Sequence, residues 1–200
     1  MNQNHTPSAA RRLRTLWAFA AAAPLVAGCG GGGSNDAGTA PAPAPAPIPG
    51  SGVLSTCGLS DFSTRILQRI NQLRASGANC GSGGQFGPAP AVSWNAQLTQ
   101  AADAHSQDMA ANNYFDHTSL DGRTFSQRID ATGYAWSAAG ENIAAGYASV
   151  DSVMDGWTQS AGHCANLMSQ NFTEIGVACV PGTSNSTYSN YWTMDLARPR

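Results

Sequence analysis

Apolar residues recur along 61–76 at Phe62, Ile66, Ile70 and Leu73, the i, i+4, i+8, i+11 stripe of an amphipathic helix. Ser60 or Asp61 stands where an N-cap is needed, and Gly77 follows as a stop. A Gly/Pro-rich loop occupies 81–90. Asn95 is placed to cap a second, Ala-rich helix with Leu98, Ala101, Ala102, His105 and Met109 on one face. Segment 124–132 predicts a short third helix presenting Phe125 and Ile129 and ended by Gly133. Ser149 opens a fourth, in which Val150, Val153, Met154 and Trp157 give the i, i+3, i+4, i+7 pattern. The period then changes. Runs 172–180 and 188–197 read as strands, and the turn-forming stretch 181–186 joins them into an antiparallel hairpin with Trp192, Met194 and Leu196 on one face. A third strand is expected near 141–146. Helices first and a hairpin last predict an α+β fold, with helices packed on a small antiparallel sheet.

The N-terminal part does not belong to that core. After Arg11, Arg12 and Arg14 comes an apolar run, 16–28, too short to cross a bilayer and proportioned like a signal-peptide core. It closes with Leu25-Val26-Ala27-Gly28-Cys29, which resembles the bacterial lipobox, where the Cys is lipidated before cleavage. The competing reading is an ordinary cleaved signal with an incidental Cys. The expected organisation is a lipoprotein-type signal peptide over 1–28, a lipidated Cys29 with a Gly and Ala-Pro tether over 29–56, and a folded domain over 57–200. Such a tether is flexible in its Gly part and extended in its Ala-Pro part. Gly28 to Gly33 formally matches GxGxxG, but no strand precedes it and no helix follows, so no dinucleotide site is read there. Gly30, rather than Asp, follows Cys29, which points to an outer-membrane destination. The expectation is an exported envelope lipoprotein held to a membrane through Cys29, on a periplasmic or surface face, or else an extracellular protein.

Composition narrows the function. Charged residues are only 11% of the chain, and all ten basic residues are Arg. Without Arg11, Arg12 and Arg14, seven Arg face twelve carboxylates, a net charge of −5. A nucleic-acid partner needs a basic stripe, and there is none. With Cys29 assigned to lipid, Cys57, Cys80, Cys164 and Cys179 remain, an even number suited to an oxidising compartment. Of the three possible pairings, Cys57–Cys80 and Cys164–Cys179 join the segments nearest in sequence and are expected. No CxxC pair is present, which disfavours structural zinc.

Four histidines offer chemistry, and His5 leaves with the signal. His105 lies on an apolar helix face and reads as a hydrogen-bonded core residue. His117 and His163 sit in polar, turn-rich sequence, where binding groups concentrate. Between them, Glu141 stands in the small, mostly uncharged stretch Gly140-Glu141-Asn142-Ile143-Ala144. A Glu there, if buried, must be neutralised, paired or hydrogen-bonded. The three residues admit a His₂–carboxylate metal site with an open position, or a structural cluster. Their separations carry no helical meaning, so both readings stay open.

A longer string of motifs resembles a known family. Ala102-Asp103-Ala104-His105-Ser106-Gln107-Asp108-Met109, Phe115-Asp116-His117, Gly140-Glu141-Asn142-Ile143-Ala144, Trp157 with Gly162-His163-Cys164-Ala165-Asn166-Leu167-Met168, and Glu174-Ile175-Gly176-Val177-Ala178-Cys179 follow in order. Together they resemble the bacterial branch of the CAP superfamily, which comprises cysteine-rich secretory proteins, antigen 5 and plant pathogenesis-related proteins. The resemblance implies a three-layer α-β-α sandwich with a cleft holding two His and two Glu. His117 and His163 match the histidines and Glu141 the first glutamate; Ser160 stands where the second is expected, and Glu174 is the only spare Glu. It also implies that His117, His163 and Glu141 hold zinc or another divalent metal and that the cleft takes sterols or fatty acids; the tether, the anchor and the missing second glutamate point to a lipid-like, polysaccharide or protein ligand. The expected function is a non-catalytic, envelope-anchored binding module. The alternative is a metal-dependent hydrolase of peptides or peptidoglycan with Glu141 as general base. Neither HExxH nor GxSxG occurs, and no Ser, Ser119 and Ser160 included, is singled out as a nucleophile.

Overall fold

The computed structural model describes residues 55–200. The expected signal peptide, Cys29 and all but the last two residues of the expected tether lie outside the described residues. Within them run α1 (Phe62–Ser76), β1 (Ala78–Asn79), β2 (Gln85–Phe86), β3 (Ser93–Trp94), α2 (Ala96–Asn112) and α3 (Phe125–Ala131). They are followed by β4 (Trp136–Ala145), α4 (Val150–Gln159), α5 (Ala161–Met168), β5 (Glu174–Pro181) and β6 (Asn190–Pro199).

Local sequence explains most of these boundaries. Asn95 Oδ1 accepts from the N–H groups of Gln97 and Leu98 and starts α2, and Asn113 ends it in the left-handed region at φ 51°. Thr124 and Gln127 form a capping box on α3, as Ser149 and Ser152 do on α4. At α1 the expected cap is not made: Asp61 is itself left-handed, at φ 52°, and its side chain bonds nothing in the first turn. Helix α5 was not anticipated, because it follows α4 directly and Ser160 before it makes no side-chain cap.

β3, β5, β6 and β4 form one sheet in that order. β4–β6 and β5–β6 are antiparallel; the two-residue β3 joins β5 in parallel, an addition to the antiparallel sheet expected. On one face, Ile175, Val177 and Cys179 of β5 and Trp192, Met194 and Leu196 of β6 pack against Ile66 and Ile70 of α1, Val153 and Trp157 of α4 and Leu167 of α5. The opposite face meets α2 and α3 through Leu98, Ala101, Met109 and Ile129. Three layers result, so the chain is an α-β-α sandwich. The α2 layer sits unusually close at Gly176, where an added Cβ would lie 2.0 Å from Thr99 N and 2.2 Å from Leu98 C. No side chain larger than hydrogen fits there.

Arg74 anchors the other side. Its guanidinium, 1% exposed, donates to the carbonyls of Pro90 (2.6 Å), Leu167 (2.7 Å), Ser169 (2.9 Å) and Phe172 (3.2 Å). A cation at the C-terminal end of α5 satisfies carbonyls that the helix leaves unbonded.

The four cysteines do form two bridges, but not the expected ones: Cys57 pairs with Cys179 and Cys80 with Cys164. The reason is a strand-like contact at the start of the domain. Cys57 N–H donates to Cys179 O (3.0 Å) and Cys179 N–H to Ser55 O (2.8 Å), which places the two Cα atoms 5.2 Å apart. Cys80, beside β1, is thereby left for Cys164 of α5, at 5.5 Å. Nearness in sequence was the wrong guide because β5 returns beside the domain's first residues.

Candidate functional site

The site forms where the sheet ends. β4 is an edge strand, and its odd residues turn their backbone groups outward, since Gly146 N–H points inward to Asn190 O (3.0 Å). Two side chains cover the outward carbonyls. Trp157 Nε1 donates to Ile143 O and Asn166 Nδ2 to Glu141 O, both at 3.2 Å. Asn166 also donates to Asn142 Oδ1 (2.9 Å), and Asn142 in turn to the carbonyl of His163 (3.2 Å). Thus α4 and α5 are fastened to the edge by the side chains that surround His163.

His117 arrives from the other layer, on the loop between α2 and α3. Its Nδ1 lies 2.7 Å from Glu141 Oε1, and Arg128 Nη2 donates to Glu141 Oε2 at 2.6 Å. Arg128 also donates to His117 O (3.0 Å), Arg123 O (3.1 Å) and Ser119 Oγ (3.1 Å), so one buried guanidinium holds both the carboxylate and the loop that presents His117. Glu141 is 5% exposed, whereas the His117 side chain is half exposed. The hydrogen bond to Glu141 raises the His117 pKa against the opposing effect of burial. Burial, and then the nearby charge of His117, lower that of His163.

Two expected residues are brought together and one role is not filled as anticipated. His117 and Glu141 pair directly, and His163 is near enough to feel the charge of His117. Glu141 has both oxygens engaged. Among the described residues no group of three or more His, Cys, Asp or Glu side chains is arranged to share a metal ion. Ser160 joins α4 to α5, and Glu174 accepts from Tyr134 Oη (2.6 Å) and Asn95 Nδ2 (3.0 Å), with no bond to the site. His105 is a core residue as expected, with Nε2 2.9 Å from Asp116 O.

Two further charged residues escaped the sequence reading. Arg128 shares the apolar stripe of α3 with Phe125 and Ile129, and an Arg on such a stripe was the signal for it. Asp195 stands opposite Glu141 across the β4–β6 pair, fully buried, and neither of its oxygens has a partner among the described residues. Burial, and then the charge of Glu141, push its carboxyl well above the usual carboxylate range. In an alternating strand it reads as a solvent-facing residue, so no sequence signal marks it.

Beside His163 a cavity of about 270 Å³ is bounded by Phe115, Tyr147, Trp157, Ser160 and Tyr188, with Ile143, Ala144 and Ala145 along one wall. Its walls are mainly apolar, and Phe115 (42% exposed) and Tyr188 (40%) stand at its mouth with ring centroids 5.8 Å apart.

Comparison with known proteins places this architecture. An extracellular SCP-domain protein from Bacillus anthracis matches with 28% identity and a TM-score of 0.52, over 74% of this chain and 45% of that one. An outer surface protein from Borrelia burgdorferi matches with 18% identity and a TM-score of 0.55, over 70% and 90%, a likeness of fold. In sequence, the uncharacterized Bacillus subtilis protein YkwD is 40% identical over 87 residues, 44% of this chain and 34% of its own. The uncharacterized membrane protein YlbC of the same organism is 34% identical over 86 residues, 43% of this chain and 25% of its own. The aligned part thus spans about a third or less of these curated relatives. The profile of the CAP, or cysteine-rich secretory protein, family matches residues 67–196, and with most of the folded domain so accounted for, the chain belongs to that family.

Proposed function

We propose that the protein is an envelope-anchored, non-catalytic binding module, tethered through a lipid on Cys29 and presenting the cleft at the β4 edge to an amphipathic ligand. The observation that carries this reading is the engagement of Glu141. Its two oxygens are held by His117 and Arg128 at 2.7 and 2.6 Å and its side chain is 1% exposed, so solvent water does not reach a place where it could be activated. The hydrolase alternative therefore loses its general base. What remains is a half-open apolar cavity with one imidazole at its polar end, the composition of a ligand site.

The donor set falls short of a resident zinc site, which takes at least three protein ligands. A divalent metal entering the cleft would be held by His117 and His163 alone, with Glu141 as the hydrogen-bond partner that orients the His117 ring. No step of the proposed function passes through it.

Zinc titration of the metal-free protein, repeated with His117→Ala and His163→Ala, is expected to show weak binding lost in both variants; binding indifferent to both makes the cluster purely structural. Incubation with casein and with peptidoglycan is expected to give no cleavage. Cleavage abolished by Glu141→Gln would overturn the non-catalytic reading. Cys29→Ser is expected to release the protein from the outer-membrane fraction.

A further inference from the structure

The outer edge of β4 is closed at one end and open at the other. Trp157 and Asn166 occupy the outward carbonyls of Ile143 and Glu141, but the outward N–H and C=O of Ala145 have no partner among the described residues. The cavity beside His163 wraps this open end. Phe115 and Tyr188 reach it from the α2 side of the sheet, Tyr147 and Trp157 from the α4 side. An apolar pocket around an unpaired strand edge fits an added strand, whose main chain bonds the edge while one side chain enters the pocket.

The closed end fixes the polarity of that strand. Laid antiparallel on β4, it runs toward Ile143 and must stop at Trp157, with its C-terminus beside Ser160 and His163. Laid parallel, it brings an ammonium to the same point. The hydrogen-bond donors there suit the first. The His163 ring and the Ser160 hydroxyl, which caps nothing, line the pocket, and the first N–H groups of α5 stand at this point; α4 ends at the same residue and offsets the pole of α5, so donors rather than net charge select a carboxylate.

We propose that the cleft binds the free C-terminus of an extended polypeptide ending in an apolar residue. The penultimate residue pairs with Ala145 through both of its main-chain groups. The last side chain, on the same side as that of Ala144, packs between Tyr147 and Trp157, and the carboxylate lies by Ser160 and His163. This rests on the reading of the cleft as a ligand site and names the ligand's class.

The test uses the full-length protein in detergent micelles and a fluorescent hexapeptide ending in Leu with a free carboxylate. Its C-terminal amide, and a version N-methylated at the penultimate residue, are each expected to bind at least about tenfold more weakly, the loss of one well-made polar contact. Ala145→Pro removes an outward donor and leaves the ladder to β6 intact, so it is expected to cause a similar loss at unchanged Tm. Should that variant fold poorly, the two modified peptides on the unaltered protein decide the matter. Equal affinity for acid and amide, indifference to the N-methyl group, or no saturable binding by about 1 mM overturns the proposal. If octanoate or a cell-wall oligosaccharide then shifts the His163 ring resonances, the cleft remains a ligand site and only the polypeptide assignment falls.

Discussion

Arg128→Met is the sharpest perturbation of the site. The substitution keeps an unbranched apolar stem on α3 and removes the guanidinium, which donates to Glu141 Oε2, His117 O, Arg123 O and Ser119 Oγ. Glu141 is then left as a buried carboxylate with one partner, the half-exposed His117. Removing one member of a buried pair leaves an uncompensated charge and costs about 3–5 kcal/mol. At this domain size that is a fall in Tm of roughly 6–20 °C. The reciprocal change, Glu141→Gln, leaves the guanidinium unpaired and costs a similar amount. The double variant buries no unpaired charge, so its loss is expected to be smaller than the sum of the singles by at least about 2 kcal/mol. Urea unfolding of all four proteins at pH 7 measures that coupling. Additive losses, with a coupling below about 0.5 kcal/mol, refute the view that Arg128 and Glu141 act as one neutralised unit.

Other outcomes follow from the same geometry. The bridges Cys57–Cys179 and Cys80–Cys164 close loops of 122 and 84 residues, and chain entropy assigns each about 4.5–5 kcal/mol, against about 3 for a bridge across 15 residues. Peptide mapping under non-reducing conditions is expected to recover these two pairs, and reduction is expected to lower Tm by more than 10 °C, estimated roughly from the same figures. Gly176→Ala forces α2 off the sheet and is expected to cost about 3 kcal/mol or more, read by chemical denaturation. For pH, the raised His117 value means that its pairing with Glu141 stabilises fully below the ordinary imidazole pKa of about 6.5 and is lost as pH rises through the folded value. Imidazole NMR is expected to place the His117 midpoint above about 6.5 and that of His163 below it, with the His117 midpoint falling in Glu141→Gln.

Elements with their own periodicity were legible in the chain. α1, α2 and α4 each span ten residues or more, enough for an apolar stripe, and the caps at Asn95 and Ser149 mark the starts of α2 and α4. Elements of two residues, which exist only through a distant partner, were not. β3 has two residues and is a strand only because Asn95 N–H meets Ile175 O (2.8 Å) and Ser93 N–H meets Thr173 O (3.0 Å). The disulfide pairing failed for the same reason, since it is set by where β5 lies and not by spacing along the chain. At the site, His117, His163 and Glu141 were found through residue type and motif order. Arg128 was missed although it lies on the stripe of α3, because seven residues define a stripe poorly, and Asp195 because an acid in an alternating strand looks solvent-facing until a covering layer is known.

The motif string that identifies the family also changes meaning once its contacts are known. Trp157 and Asn166 flank His163 in that string, and their polar atoms close the edge of β4. Arg128 and Glu141 satisfy each other in the interior. Most of the polar residues gathered here thus solve the structural difficulty of ending a sheet beside two helical layers. A binding cleft arises where that closure stops, at Ala145, because an edge protected over its whole length would leave nothing for a ligand to pair with. The polarity of the ligand follows from the same asymmetry. Moving the stop is therefore the decisive manipulation. Trp157→Phe frees the Ile143 carbonyl while keeping an aromatic ring in the core, and one more backbone acceptor becomes available along the edge. A peptide extended beyond its carboxyl end by one residue is then expected to gain affinity relative to the shorter one, a reversal measurable by fluorescence polarisation. If the ranking of the two peptides stays the same, Trp157 is not the stop, and the direction assigned to the bound strand is wrong.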